Sequence, residues 1–127
     1  MERRVIHTEN APKAIGPYSQ GIRTGDMIFC AGQIPLDPAT GKLVEGDITP
    51  QTRRALTNLK NVLEAAGSSL QRVVKTTVFL ANLDDFQAMN KVYGEFFNDQ
   101  PPARSTVQVA RLPAGALVEI EAIAVSN

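Results

Sequence analysis

Apolar residues recur at helical spacing in two stretches of the chain, each preceded by residues that begin helices. The first stretch runs from Ala55 to Ala66, and Thr49-Pro50 before it predicts an N-cap followed by proline at the first helical position. The second runs from Phe86 to Phe96, with Asn82 as its predicted cap. Both patterns are typical of helices that bury one apolar side.

The remaining apolar segments have the β-branched or alternating pattern of strands. Residues 22–31 predict two strands joined at Gly25-Asp26, and single strands are predicted at 73–80, 104–109 and 117–125. This order requires crossovers that place both helices on one face of a mixed sheet. We therefore expect an α+β two-layer sandwich, with residues 1–127 forming one domain.

Alternation along each strand assigns its side chains to the two faces of the predicted sheet. In the last strand, the small apolar residues at even positions 118–124 would lie under the helices, which leaves Glu119 on the open face. The same argument places Arg104 and Thr106 beside Glu119, because residues 105, 107 and 109 are the more apolar set. Since apolar residues such as Phe79 share this open face, we expect a second copy of the chain to cover it.

Arg104 then has two interpretations. It either pairs with Glu119 or Glu121 inside the interface, or its guanidinium binds a ligand carboxylate through two parallel hydrogen bonds. Lys75, predicted on the same face, would give Glu121 a partner of its own and leave Arg104 free. Both interpretations require the Arg104 side chain to project onto the open face; a guanidinium turned toward the helices would remove this anchor.

Composition and charge disfavour several classes of function. Lys plus Arg equals Asp plus Glu at 13 each, so the chain lacks the basic excess that binding to nucleic acid phosphates requires. The single cysteine, Cys30, and the single histidine, His7, in an expected N-terminal edge strand, support neither a disulfide, a catalytic triad nor a metal site. No segment reaches the roughly 18 to 20 apolar residues of a membrane span. We expect a soluble, cytoplasmic protein without a bound metal.

Three other residues are candidates for a binding site. Tyr18 follows Gly16-Pro17 in the stretch IGPYSQG, where a rigid turn could present its hydroxyl to a ligand or leave it on the surface. Gly32, in AGQIP, either lets a ligand approach the backbone or simply ends a strand. Asn90 lies beside the apolar stripe of the second helix and by itself indicates nothing.

Six motifs in the same order resemble the RidA (YjgF) family of reactive-intermediate imine deaminases. They are IGPYSQ, AGQIP, VVKTTVFLANLDDF, PPARSTV, VARLP and VEIEAIAV, and together they extend over essentially the whole chain. The resemblance implies a chorismate-mutase-like subunit that assembles as a homotrimer, with active sites at the subunit interfaces.

The resemblance also implies an activity and the residues that carry it. Family members hydrolyse 2-imino and 2-enamine acids, such as 2-iminobutanoate and 2-iminopropanoate, to 2-oxo acids and ammonia without a cofactor. By motif, Arg104 would bind the substrate carboxylate and Glu119 would activate water. Tyr18, Gly32, Asn90 and Thr106 would line the same pocket.

Two positions depart from the pattern that the resemblance suggests. Many relatives have serine where this chain has Ala31, and some have cysteine where it has Thr106, so substrate preference or rate could differ. Other proteins of this group are described as ribonucleases, translation inhibitors or binding proteins. An endoribonuclease and a non-catalytic trimer that binds small ligands therefore remain alternatives.

Overall fold

The structure, a computed structural model, describes residues 2–127. Six strands form one sheet, and two helices cover one of its faces. The strands are β1 (Arg3–Ile6), β2 (Gly21–Thr24), β3 (Met27–Gln33), β4 (Val73–Leu80), β5 (Ala103–Gln108) and β6 (Val118–Val125), and the helices are α1 (Ile48–Ala65) and α2 (Phe86–Phe96). The α+β sandwich with a mixed sheet is confirmed, and β1 ends immediately before His7.

The strands are ordered β1-β2-β3-β6-β4-β5 across the sheet. Every neighbouring pair is antiparallel except β4 and β5, which are parallel because α2 connects them as a crossover. The crossover leaves β5 at one edge of the sheet. No helix in residues 2–127 is both long and apolar enough to cross a bilayer.

The core lies between the sheet and α1. Five apolar residues of α1 are fully buried: Ala55, Leu56, Leu59, Val62 and Leu63. Opposite them, the predicted alternation in β6 is confirmed, since Val118, Ile120, Ala122 and Ala124 are all buried. Fully burying a leucine contributes roughly 1.5–3 kcal/mol, so this contact between α1 and the central strands is a main source of stability.

The helix starts differ in detail from the prediction. Asp47, not Thr49, caps α1: its Oδ1 accepts a hydrogen bond from the Thr49 backbone N–H at 3.0 Å. Asn82 does act as a cap, but of a short 3₁₀ turn that leads into α2, with its Oδ1 accepting from the Asp84 N–H at 2.9 Å. Aspartate and threonine both cap helices well, and here the earlier residue determines where α1 begins.

Candidate active site

Arg104 faces the helices, so the predictions that it shares the open face with Glu119 and anchors a ligand on that face are wrong. In the parallel pairing of β4 with β5, Arg104 lies opposite Thr76, which is completely buried under the helices. Paired residues on neighbouring strands point to the same side of a sheet. Thr106, opposite the buried Val78, is turned to the helix side as well.

The face assignment failed because β5 is an edge strand. The helices cover this edge only in part, so the polar residues Arg104 and Thr106 stay half-buried on the helix side. Val107 instead projects from the open face and is 45% exposed. The prediction assumed that the apolar residues of β5 lie under the helices, but Val107 lies on the open face.

The guanidinium of Arg104 lies on two aromatic rings of α2. Its Cζ is 4.7 Å from the centroid of the Tyr93 ring and 5.5 Å from that of Phe86, within the range of cation–π attraction. The salt bridges of the described chain join Arg53 to Glu95 and Lys60 to Glu64. Arg104 thus carries a half-buried positive charge that no carboxylate of residues 2–127 neutralises.

Unpartnered polar atoms accompany Arg104. Asn90 Oδ1 and Thr106 Oγ1 are buried and have no hydrogen-bond partner within the described chain. Asn90 and Arg104 line one cavity of about 360 Å³, together with Tyr93 and the prolines 101 and 102. Buried polar atoms without partners are rare in folded proteins, so this surface, called here the arginine half-site, is suited to binding something polar.

Glu119 lies on the open face, at an irregularity of the sheet. It pairs with Phe79 of β4, and on its other side the register between β3 and β6 shifts between Cys30 and Gln33. The shift brings the Gly32 backbone against the Glu119 side chain. A Cβ atom on Gly32 would lie 2.8 Å from Glu119 Cδ, so the Glu119 side chain occupies the space that a side chain at position 32 would fill.

Burial raises the pKa of the Glu119 carboxyl above its usual range, and the nearby charge of Glu121 raises it further. A carboxyl group with a raised pKa binds a proton more readily, which suits a general base or acid. The expected pairing of Glu121 with Lys75 does not form, because Lys75 Nζ donates to Ser105 Oγ at 3.1 Å. No cation of the described chain thus offsets the repulsion between the two carboxylates.

Tyr18, Gly32 and Glu119 are brought together around a groove of about 690 Å³. Tyr18 is 54% exposed, and its hydroxyl oxygen accepts a hydrogen bond from the Ile15 N–H at 3.3 Å. We call this surface the glutamate half-site. It also includes Lys13 and Ala114, which the sequence reasoning missed; the positive φ of Ala114, 59°, is a strained conformation of the kind found at functional sites.

Other chemically reactive residues lie apart from both half-sites. Burial raises the pKa of the Cys30 thiol to about 12, which keeps it protonated and unreactive at neutral pH. His7 is exposed next to the end of β1. Among residues 2–127, no group of three or more His, Cys, Asp or Glu residues is arranged to hold a metal ion.

The two half-sites do not meet within one chain, because they lie on opposite faces of the sheet. The open face between β2 and β5 also remains uncovered and carries apolar residues beside Lys75, Thr77, Glu119 and Glu121. Its partly or fully exposed apolar residues are Ile22, Phe29, Phe79, Val107, Ile123 and Val125. Exposed apolar residues gathered on one uncovered sheet face mark a surface that associates with another molecule.

Comparisons with known proteins place the chain in a family. The model of the family described as Endoribonuclease L-PSP matches residues 8–126. The chain belongs to this family, also called RidA or YjgF. A RutC family protein of Pyrococcus horikoshii is 58% identical over 96% of this chain and 97% of its own length. The resemblance that the six motifs indicated is thereby confirmed.

Two other proteins are similar to this chain over more than nine-tenths of their length. A goat protein named 2-iminobutanoate/2-iminopropanoate deaminase is 50% identical over 100% of this chain and 93% of its own length. The crystal structure of Escherichia coli TdcF with bound serine is 47% identical, covers 98% of this chain and 99% of its own, and superposes with a TM-score of 0.93. The fold seen here is therefore that of the RidA family.

Proposed function

We propose that the protein hydrolyses 2-imino and 2-enamine acids, such as 2-iminobutanoate and 2-iminopropanoate, to 2-oxo acids and ammonia. The observation that carries the proposal is the pair of half-sites, one with an unneutralised arginine and one with a carboxylate of raised pKa. A goat relative at 50% identity bears the name of this activity. The reaction needs no metal or organic cofactor.

The two half-sites would act together between chains. Since Arg104 and Glu119 lie on opposite faces of one sheet, a complete site requires the arginine half-site of one subunit to meet the glutamate half-site of another. A homotrimer with a site at each interface satisfies this requirement. Such an assembly would also cover the apolar open face.

In the proposed mechanism, Arg104 anchors the substrate and Glu119 moves protons. The guanidinium binds the substrate carboxylate through two parallel hydrogen bonds, which fixes C2 near the Glu119 carboxylate. Glu119 accepts a proton as water attacks C2 and the C2–O bond forms. It passes that proton to the imine nitrogen, which gives an amino alcohol at C2. Glu119 then takes the proton of the new hydroxyl group and delivers it to the same nitrogen as the C2–O bond becomes a carbonyl, the C2–N bond breaks and ammonia leaves, so the 2-oxo acid is formed and Glu119 is regenerated.

The remaining residues would shape the pocket around the reacting atoms. The Gly32 backbone gives access to Glu119, and Tyr18 forms one wall of the same groove. Asn90 Oδ1 and Thr106 Oγ1 are free to accept hydrogen bonds, so N–H groups of an imino or enamine acid are suitable partners. Aligning these groups with the water molecule supplies most of the catalysis that an already electrophilic imine needs.

The direct test couples the protein to a threonine dehydratase, which releases the imine of 2-oxobutanoate, and follows the loss of the imine. The wild type should accelerate this loss, and Arg104→Ala should slow it by at least about 10²-fold, since a hydrogen-bonded charge pair with the carboxylate is lost. Arg53→Ala is the matched control. Arg53 forms an exposed salt bridge to Glu95, so this variant should keep the full rate.

The alternatives give different results in the same preparations. An endoribonuclease, the activity after which the family is described, would cleave RNA in a strongly salt-dependent way and would keep doing so in Arg104→Ala. A binding protein would retain a small carboxylate without accelerating imine loss. A folded, assembled Arg104→Ala protein with the wild-type rate would overturn the role given to Arg104.

A further inference from the structure

We propose that Tyr93 and Thr76 form a positioning pair that holds the Arg104 guanidinium in the orientation in which it binds a carboxylate. The inference rests on the proposed function for the ligand, but the geometry of the pair stands independently. Thr76 is fully buried, and Tyr93 lines the Arg104 cavity as the surface on which the guanidinium lies. Each acts through Arg104.

The geometry joins three secondary-structure elements at one point. Tyr93 of α2 lies under the guanidinium, with its ring centroid 4.7 Å from Arg104 Cζ. The Tyr93 hydroxyl and Thr76 Oγ1 are 2.7 Å apart, a short hydrogen bond from α2 to β4. Thr76 is itself the register partner of Arg104 on β5. The hydroxyl pair therefore ties the ring to the strand beside the one that carries the arginine.

The burial of this pair calls for a reason beyond packing. Tyr93 is 5% exposed and Thr76 is 0% exposed, in a layer filled mainly by apolar residues. A valine and a phenylalanine would fill similar volumes without the cost of removing two hydroxyl groups from water. The hydrogen bond offsets that cost and, in addition, fixes the rotation and tilt of the Tyr93 ring. An apolar pair would leave the ring held by packing alone, against neighbours such as Phe97 at 4.7 Å between ring centroids.

A fixed ring matters because cation–π attraction depends on where the cation sits over the ring face. Arg104 is half-buried and carries several rotatable bonds, so an unsupported guanidinium would sample many orientations. With Tyr93 below it and Phe86 at 5.5 Å beside it, the planar fork is restricted before a ligand arrives. Restriction before binding lowers the entropy lost on binding a carboxylate.

The electrostatic state of Tyr93 is compatible with this role. Burial raises the pKa of the Tyr93 hydroxyl, while the hydrogen bond to Thr76 and the charge of Arg104 act in the opposite direction. Burial is the largest of these influences, so the phenol stays neutral at physiological pH. The Arg104 charge is therefore left for a ligand and is not neutralised by a tyrosinate.

Three conservative variants separate positioning from packing. Tyr93→Phe keeps the ring and removes the hydroxyl, and Thr76→Val keeps the volume and removes the other member of the hydrogen bond. We expect each to weaken binding of 2-oxobutanoate, measured by calorimetry, by roughly 3- to 10-fold, the factor that one net hydrogen bond produces. The value of kcat should stay within about 2-fold. Thr76→Ser should restore binding to near the wild-type value.

The double variant Tyr93→Phe/Thr76→Val adds a check on coupling. Because both changes remove the same hydrogen bond, the double variant should lose no more than the larger single loss. Thr52→Val is the matched control: Thr52 is also fully buried and its Oγ1 has no partner in the described chain, but it lies on α1 and does not line the Arg104 cavity. Its removal should leave 2-oxobutanoate binding unchanged.

A measurement on Arg104 itself tests the inference without a ligand. The Nε–Hε correlation of Arg104 in NMR spectra of the full-length protein is assigned by its absence from Arg104→Lys. We expect Tyr93→Phe and Thr76→Val to move this correlation toward the position of mobile surface arginines, and Thr76→Ser and Thr52→Val to leave it in place. An unchanged correlation in Thr76→Val overturns the inference.

The two measurements also separate this inference from the proposed function. If the correlation moves as expected but the wild type neither binds 2-oxobutanoate nor hydrolyses imines, the positioning pair stands and the proposed function fails. If the wild type hydrolyses imines but Tyr93→Phe and Thr76→Val leave both the correlation and the binding unchanged, the function stands and the positioning pair fails.

Discussion

The two half-sites differ in how the fold builds them. The glutamate half-site lies where β3 is irregular against β6, and its carboxylate occupies the space that a side chain at residue 32 would fill. The arginine half-site lies at the regular, parallel edge of the sheet, where an aromatic platform on α2 supports the guanidinium. One half is shaped by a break in the sheet, and the other by the contact of a helix with an edge strand.

This difference explains why one chain carries both groups without joining them. A raised pKa requires a carboxylate kept away from cations, and Glu119 has none among its partners in the described chain. An arginine that must receive a ligand carboxylate requires the reverse, freedom from the protein's own carboxylates. Placing the two on opposite faces keeps them apart until chains assemble.

Removing the charged group of each half should produce the largest and most different effects. Glu119→Ala should lower kcat by about 10²- to 10⁴-fold, since proton transfer is lost. Arg104→Ala should lower the rate and, unlike Glu119→Ala, should also raise KM strongly, because the group that binds the substrate carboxylate is lost. Steady-state kinetics on 2-iminobutanoate measure both constants, and identical changes in kcat and KM for the two variants would contradict separate roles.

Gly32→Ala should disable the glutamate half-site while leaving the arginine half-site intact. The added Cβ collides with the Glu119 carboxylate, so we expect kcat to fall by about 10- to 100-fold, the scale of a misplaced general base. The control is the same change in a Glu119→Ala background, where it should have little further effect. A full additional loss in that background would show that Gly32 acts independently of Glu119.

The ionisation of Glu119 should set the pH dependence of kcat/KM on the acid side. Because the Glu119 pKa is raised, a base at this position is lost as pH falls, and the acid limb of kcat/KM should lie above the usual range of a glutamate. Glu121→Gln removes the second cause of the shift and should move this limb to lower pH. Burial, the larger cause, remains, so the return should be partial. If the acid limb of kcat/KM does not move in Glu121→Gln, the limb reports the ionisation of a group other than Glu119.

The smallest effect concerns stability. A carboxyl group whose folded pKa is raised stabilises the fold below its unfolded pKa, and that contribution is lost as pH rises. At neutral pH Glu119→Gln should therefore raise Tm, by less than about 4 °C, roughly the shift that 1 kcal/mol produces in a domain of this size. Calorimetry at pH 7 measures it, with Glu95→Gln, an exposed salt-bridge partner of Arg53, as the control. A lower Tm in Glu119→Gln would contradict the claim that the ionised Glu119 carboxylate destabilises the fold at neutral pH.

The sequence alone predicted the buried side chains correctly where a strand is central, regular and covered by helices on one face only. β6 is central, and its even positions 118–124 are buried as alternation predicts. The helices and the mixed sheet followed from periodicity and the crossover rule. The six motifs indicated the family, which the match over residues 8–126 confirms.

The sequence did not predict side-chain directions and contacts that depend on a residue distant along the chain. The direction of Arg104 depends on its register with Thr76, 28 residues earlier, and alternation by itself cannot give the register of an edge strand. The need for glycine at position 32 depends on a register shift that brings Glu119 within contact. The Tyr93–Thr76 pair joins residues 17 apart on a helix and a strand, which no local pattern indicates.

The most direct test of the two-half site is complementation between inactive chains. Arg104→Ala and Glu119→Ala proteins are mixed in equal amounts, unfolded and refolded together, and assayed for imine hydrolysis. If each site takes its arginine from one chain and its glutamate from another, about one quarter of the wild-type activity should return, because random mixing pairs two intact halves at that frequency. If both groups of a site come from the same chain, the mixture should stay as inactive as its components, and the central claim would be wrong.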